Sequence, residues 1–236
     1  MLIDNHKQSK TPWLTPSGWT LALTIATLAY FAFGYQSLLF PLVFLVCGSL
    51  LSKIPPKNKK DEVRSAKQVF ANGGVALLVT ILYIINPNEL FFILYLSNFS
   101  IALADTTSSE IGRRYGGKTI DIVTFKEVKK GLSGGISMIG TVSALIACAL
   151  IASLYWVIYK DFSMYNLLIF AGFAGMLIDS LLGSTIQAKY KENGKILEEG
   201  NRANLIKGYP KIDNDAVNFL SISIITLLVA IILLLN

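Results

Sequence analysis

Apolar stretches separated by short polar breaks run the length of the chain, at about Trp19–Phe33, Gln36–Leu51, Gln68–Ile85, Leu90–Ala104, Ile136–Ile158, Tyr165–Gln187 and Ala216–Leu235. The longer runs match the roughly 20 residues that an α-helix needs to cross a hydrocarbon layer about 30 Å thick. They are too long and too evenly apolar for strands with one wet face. The pattern predicts an all-α, polytopic membrane protein with about seven transmembrane helices, residues 1–236 forming one membrane domain. The first two runs are short and joined only by "GYQ", so they either span or form a re-entrant hairpin. Either way the chain returns to the same side.

Composition agrees. Hydrophobic residues make up 53% of the 236, and charged residues 15%, against roughly 25% in a soluble domain. The opening "MLIDNHKQSKTPW" is polar, and no cleavable signal peptide is expected. Cys47 and Cys148 sit inside apolar runs and read as small buried hydrophobes. The single histidine, His6, lies in the N-terminal tail.

The net charge of +6 is explained by topology rather than by nucleic acid. All of the 21 Lys and Arg except Lys160 fall in alternate loops. They are Lys7 and Lys10; Lys53 to Lys67; Arg113 to Lys130; and Lys189 to Lys211. By the positive-inside rule these loops are cytoplasmic. The expectation is a cytoplasmic N-terminus, an outside C-terminus and a multi-pass protein in contact with membrane lipid. Tyr35, Tyr83, Trp156, Tyr159 and Tyr165 then form an outer aromatic belt.

"GRRYGGKT", Gly112 to Thr119, has the spacing of a phosphate-binding P-loop. That motif works after a strand and before a helix. Here it follows a membrane helix and precedes "IDIVTF", which reads as extended chain. A loop of this size cannot build a P-loop domain. Two readings stay open: a flexible basic loop, or a phosphate cradle of glycine N–H groups, Arg and Lys.

Polar groups inside the apolar runs carry more. A mid-membrane Asp costs roughly 2.5–3.5 kcal/mol on insertion scales. Asp105 ends the fourth run and Asp179 lies in the sixth; Asn72, Asn98 and Asn218 lie in the third, fourth and seventh. With the predicted span directions, these groups and Ser137, Ser180 and Asp215 share the cytoplasmic side. Asn98 and Asp105 share a face, and Gly183 lies one turn from Asp179. The spans offer the carboxylates no Arg or Lys, so Mg²⁺ is the economical partner.

With the single histidine in the N-terminal tail, hydrolysis that depends on a His base is disfavoured. Phosphoryl transfer to an acceptor that is already anionic needs no base. A phosphate monoester has its second pKa near 6. Such chemistry needs relief of charge repulsion, which Mg²⁺, Arg, Lys and N–H groups supply.

The motifs "QVFANGG", "ADTTSSEIG", "TFKEVKKGLSGGISMIGT", "IDSLLGSTIQ" and "NDAVNFLS", in this order, resemble the integral membrane family that contains plant phytyl-phosphate kinase and animal transmembrane protein 19. The resemblance runs from about Lys53 to the C-terminus, a family-like core over 53–236. Residues 1–52 form an N-terminal hairpin without a recognisable signature. More distantly, Asp105, Glu110, Gly112, Arg113, Tyr115, Gly116 and "KGLSGG" are similar to the pattern of CTP-dependent phytol and dolichol kinases.

The resemblance implies transfer from a nucleoside triphosphate, CTP or ATP, to a prenyl monophosphate such as phytyl or geranylgeranyl phosphate, at the cytoplasmic face. It implies that Asp105, Glu110 and Asp179 hold Mg²⁺ and the triphosphate. Ser109, Gly112, Arg113, Gly116, Gly117 and Lys118 would cradle phosphates, and Lys126, Lys130, Gly131, Gly134 and Gly135 would close over them. Asn72, Ser180, Gly183 and Asn218 would orient the acceptor. A homodimer is an admissible assembly. The alternatives are a lipid-alcohol kinase or cytidylyltransferase, and a transporter of small anions or metals.

Overall fold

A computed structural model describes residues 12–53 and 63–235. His6, Lys7, Lys10, Pro55, Pro56, Lys57, Lys59 and Lys60 lie outside the described residues. The described chain has seven helical stretches long and apolar enough to cross a membrane. The helices are α1 (Pro16–Phe33), α2 (Leu39–Ser52), α3 (Ala66–Ile85), α4 (Glu89–Tyr115), α5 (Met138–Tyr159), α6 (Tyr165–Thr185) and α7 (Asn214–Leu235). A 3₁₀ turn, Tyr35–Leu38, leads into α2. The protein is an integral, multi-pass, mostly helical membrane protein.

Local chemistry sets the helix ends. Thr15 caps α1 by accepting from Gly18 N, with Pro16 in the first turn. Ser65 and Gln68 form a reciprocal capping box at the start of α3. Ser137 accepts from Gly140 N at the start of α5.

The largest departure from the hydropathy pattern is α4. It does not stop near Ala104 but continues to Tyr115. Its last turns are held by Glu110, which pairs with Arg113 and Arg114 at the i,i+3 and i,i+4 spacings. Two arginines also suit a helix C-terminus. "GRRY" is therefore the final turn of a helix, and the loop begins at Gly116.

Helix α4 is the axis of the bundle. Every residue from Ile93 to Ala104 is buried, with α2, α3, α5, α6 and α7 packed around it. Lipid tails are as apolar as leucine, so close packing and internal hydrogen bonds must hold such helices together. Small residues allow the approach. A Cβ on Gly172 would sit 2.4 Å from Ser100 Oγ, and one on Gly175 would sit 2.3 Å from Ile101 Cγ2. Asn98 clamps α4 to α3. Its amide donates to Asn72 O (2.7 Å) and accepts from Ala76 N (3.0 Å), the two groups that a regular helix joins to each other.

The α1–α2 hairpin runs most of the bundle's height. At one end Phe33 packs on Tyr83 and Phe92, and Tyr95 Oη donates to Ser37 O. At the other, Arg114 donates to Ser52 O. These contacts describe a full-height hairpin rather than a shallow one.

Two small sheets lie at the same end as Arg114. β1 (Ile120–Asp121) pairs antiparallel with β2 (Gly135–Ile136). β3 (Lys189–Glu192) is flanked by β4 (Lys195–Leu197) and β5 (Leu205–Lys207). Asn193 and Gly194, both at positive φ, make the two-residue turn between β3 and β4. The long loops and both sheets thus share one polar end of the bundle.

Candidate active site

The polar end contains a cavity of about 380 Å³. Its floor comes from four helices. Asn72 of α3, Asp105 of α4, Asp179 of α6 and Asn218 of α7 meet above Ile101, Ala102 and Ile222. The side chains of Asp105 and Asp179 are neighbours on this floor. Two carboxylates cannot share a buried position without a proton or a cation between them. Asp179 is held from α7. Ser221 Oγ donates to Asp179 Oδ2 (3.1 Å), and Asn218, with its amide nitrogen turned inward, donates to the same oxygen (3.1 Å).

One wall is the glycine-rich loop. Gly131 to Gly135 line the cavity. Gly134 has φ +86°, and a Cβ there would meet Ser184 Cβ, Cα and N of α6 at 2.5–2.7 Å. The loop is bolted to α6 by Asp121, whose Oδ2 accepts from Ser184 Oγ (2.7 Å) and whose Oδ1 accepts from Val123 N and Thr124 N. Burial pushes the Asp121 carboxyl up, but these hydrogen bonds outweigh it and hold the pKa at about 2. Lys189 Nζ donates to Ser133 O (2.8 Å), and Glu198 Oε1 accepts from Ser133 N (2.6 Å). Burial, then Lys207, hold the Lys189 ammonium below its ordinary range, and Asp121 and Glu198 partly offset them.

The opposite wall is the N-terminal hairpin, with Trp13, Ser49, Ser52, Lys53 and Arg64. Glu110 links the two walls. Its Oε2 accepts from Arg113 (2.6 Å) and Arg114. The Arg113 stem packs beneath Gly131, and Arg114 reaches Ser52 O.

Seven buried side-chain polar atoms have no hydrogen-bond partner among the described residues. Five belong to residues lining this cavity: Ser49 Oγ, Arg64 Nη1, Thr119 Oγ1, and Gln187 Nε2 and Oε1. Buried polar groups without partners are rare in native proteins. Their concentration here marks a site for a polar ligand.

The structure brings twelve of the sequence-selected residues to the cavity: Asn72, Asp105, Ser109, Glu110, Gly112, Arg113, Gly131, Gly134, Gly135, Asp179, Ser180 and Asn218. Six others do not line it. Lys118, Lys126 and Lys130 are exposed on the loop surface, as is Gly117. Gly116 is buried, where a Cβ would sit 2.4 Å from Ser137 Oγ. Gly183 takes the close approach of Ser133 and Gly134 rather than lying open beneath Asp179. Sequence reasoning passed over Ser49, Arg64, Thr119, Gln187, Glu198 and Ser221. Three of them carried a visible signal: Ser221, one turn from Asn218 on the same face, Thr119, which closes "GRRYGGKT", and Gln187, which closes "IDSLLGSTIQ".

The fit of a divalent cation follows from the donor set. No group of three His, Cys, Asp or Glu side chains able to hold a metal occurs among the described residues. Asp105 and Asp179 supply two carboxylates, and Mg²⁺ commonly uses one or two together with phosphate oxygens. The pair fits such an ion; Glu110 is engaged by arginines.

The family model for "Integral membrane protein DUF92" matches residues 6–226. An uncharacterized membrane protein of Methanocaldococcus jannaschii is 35% identical over 167 residues, covering 69% of each chain. Protein PGR of Arabidopsis thaliana is 28% identical, over 91% of this chain and 87% of its own. Protein VTE6, chloroplastic, of the same plant is 25% identical, over 89% of this chain and 62% of its own. No solved structure matches the chain.

Proposed function

The chain belongs to the integral membrane protein family DUF92, and on that premise we propose that it is a prenyl-phosphate kinase. It transfers a phosphoryl group from a nucleoside triphosphate, CTP or ATP, to a prenyl monophosphate such as phytyl or geranylgeranyl phosphate. The resemblance of its five motifs to the family of plant phytyl-phosphate kinase supports the substrate class. The observation that supports the chemistry is the pair Asp105 and Asp179 at the base of a cavity lined by the glycine-rich loop on one side and by Arg64, Arg113 and Arg114.

In this reading an oxygen of the acceptor phosphate attacks the donor's terminal phosphorus. The bond from that phosphorus to the β,γ-bridging oxygen breaks, and the nucleoside diphosphate leaves with the electron pair. The acceptor is already a dianion near neutral pH, so no side chain has to remove a proton. The protein's task is to bring two anions together. The guanidinium of Arg113 and the backbone N–H groups of Gly131 and Gly134 receive the donor phosphates, since Leu132 N, Ser133 N and Gly135 N already donate to Lys129 O, Glu198 and Leu132 O. Ser221 and Asn218 hold Asp179 in place, and Asn72 and Ser180 face the acceptor. A Mg²⁺ ion held by Asp105 and Asp179 would neutralise phosphate oxygens. Beneath the carboxylates the wall is Ile101, Ala102 and Ile222, which favours a one-sided site over a transport path. The basic loops at this end support a site at the cytoplasmic face.

The test is incubation of the purified protein with Mg²⁺, each of the four nucleoside triphosphates, and phytyl or geranylgeranyl phosphate, followed by mass spectrometry of the lipid. The expected products are a lipid diphosphate and a nucleoside diphosphate. A CMP-linked lipid with released pyrophosphate, or no lipid product with any nucleotide, overturns the proposal.

A further inference from the structure

The hairpin wall holds a cation, Arg64, that has no salt bridge among the described residues. The backbone of Arg64 is pinned by Arg64 N donating to Trp13 O (3.2 Å) and Thr15 N donating to Arg64 O (3.0 Å). Its guanidinium runs across α2 at Gly48, where a Cβ would lie 2.4 Å from Nη2, and rests 5.4 Å from the Phe44 ring centroid. Nη1 is buried without a hydrogen-bond partner among the described residues. Ser49, 3% exposed, lines the same cavity, and its Oγ is likewise without a partner among the described residues.

Among the described residues, no carboxylate bonds Arg64. The carboxylate that acts on it through space is Glu110, which already bonds Arg113 and Arg114. Burial lowers the Arg64 pKa, partly offset by Glu110, yet a guanidinium stays protonated in proteins. Lys53, another cation on this wall, sits over the Trp13 ring. A guanidinium with a spare N–H, on the same cavity wall as a spare hydroxyl, has the donors that a tetrahedral oxyanion needs.

We propose that Arg64 and Ser49 form the subsite that binds the phosphate of the lipid acceptor, so that the N-terminal hairpin is part of the site. Two features assign this wall to the lipid rather than the nucleotide. It is built by α2 and the entry to α3, with the Phe44 ring beneath it, so an acceptor held here keeps its chain among membrane helices. The facing wall is made of extramembrane loops and suits a water-soluble donor. The two phosphates then meet over Asp105 and Asp179, with Glu110 fixing the arginines between them. This assignment rests on the kinase reading for the identity of the acceptor, but not for the existence of an oxyanion site.

Binding and turnover are measured separately in nanodiscs, with Arg64→Gln, Arg64→Lys and Ser49→Ala. Geranylgeranyl monophosphate binding is read from Trp13 emission in a Trp19→Phe, Trp156→Phe background, and CTP or ATP binding with Mg²⁺ by calorimetry. Arg64→Gln should weaken lipid-phosphate binding by about 10- to 100-fold, the range of a charge-assisted hydrogen bond. Arg64→Lys should recover part of the loss, and nucleotide affinity should stay within about twofold. Ser49→Ala controls for folding, since the hydroxyl bonds nothing among the described residues. Its melting temperature should not fall, while lipid-phosphate binding weakens by about threefold or more. Unchanged lipid-phosphate binding in both Arg64→Gln and Ser49→Ala overturns the subsite, as does loss of nucleotide binding in its place. If binding depends on Arg64 but no nucleotide supports transfer, the subsite stands and the kinase reading fails. If transfer proceeds and Arg64→Gln leaves the acceptor KM unchanged, the kinase reading stands and the subsite fails.

Discussion

Gly134→Ala perturbs the glycine-rich wall at the point where it touches α6. A methyl group at this position would lie 2.5 Å from Ser184 Cβ, 2.6 Å from its Cα and 2.7 Å from its backbone N. Two of these atoms are helix backbone and cannot turn aside. The φ of +86° adds a second penalty. A left-handed conformation costs alanine about 1–2 kcal/mol, and overpacking costs about 1–3 kcal/mol more. The charge-assisted bond from Ser184 to Asp121, which holds the loop down, contributes about 1.5–3 kcal/mol. The penalty matches or exceeds the restraint, so the loop lifts and α6 stays. A displacement near 1 Å at a site of this kind lowers kcat/KM by roughly 100-fold. The assay is steady-state transfer with varied nucleotide, together with amide exchange over residues 120–136. Gly117→Ala is the control, because nothing lies within 4 Å of its added methyl. Gly134→Ala turning over with nucleotide KM within twofold of wild type would refute the reasoning.

Three further outcomes follow from named contacts. Asn98→Ala removes the bonds to Asn72 O and Ala76 N and should lower stability by about 1–3 kcal/mol in detergent unfolding; a loss under about 0.5 kcal/mol would mean that α3 closes its own ladder. Asp121 has a folded pKa of about 2 against an ordinary 3.8, so its stabilisation is complete above the ordinary value and fades as pH falls toward 2. Protection of the Val123 and Thr124 amides, relative to their intrinsic exchange at each pH, should therefore fall over that interval, and Asp121→Asn should flatten the dependence. Glu198→Gln removes the negative charge on Ser133 N while keeping an acceptor, and should lower the nucleotide KM about three- to tenfold; a rise would place Glu198 among the groups that bind the donor.

Much of the fold is legible because a bilayer simplifies the reading. Apolar runs set the helices, and the Asp and Asn residues that interrupt them show where helices must meet. Asp105, Asp179, Asn72 and Asn218 are visible on that ground alone. The end of α4 is not, because "DTTSSEIGRRY" is polar and helical, and hydropathy sees only its polarity. Glu110 with Arg113 and Arg114 was the local sign of continued helix. The turn at Asn193–Gly194 also carried a hairpin signal between "KYKE" and "KIL". Arg64 and Ser49 are hidden for a different reason. One looks like any positive-inside charge and the other like any small residue in a span, and only the packing of the hairpin against α4 turns both into the cavity. Glu198 and Gln187 depend on loop folding that has no periodicity to read.

The account turns on two carboxylates that meet in order to let two anions meet. Its most direct measurement is the lipid product formed by wild type, Asp105→Asn and Asp179→Asn under saturating Mg²⁺ and nucleotide, with melting temperatures recorded alongside. Either substitution should cut kcat by about 1,000-fold or more, with the melting temperature unchanged or raised because one of two opposed buried carboxylates is gone. Diphosphate formation at the wild-type rate by either folded variant would contradict it.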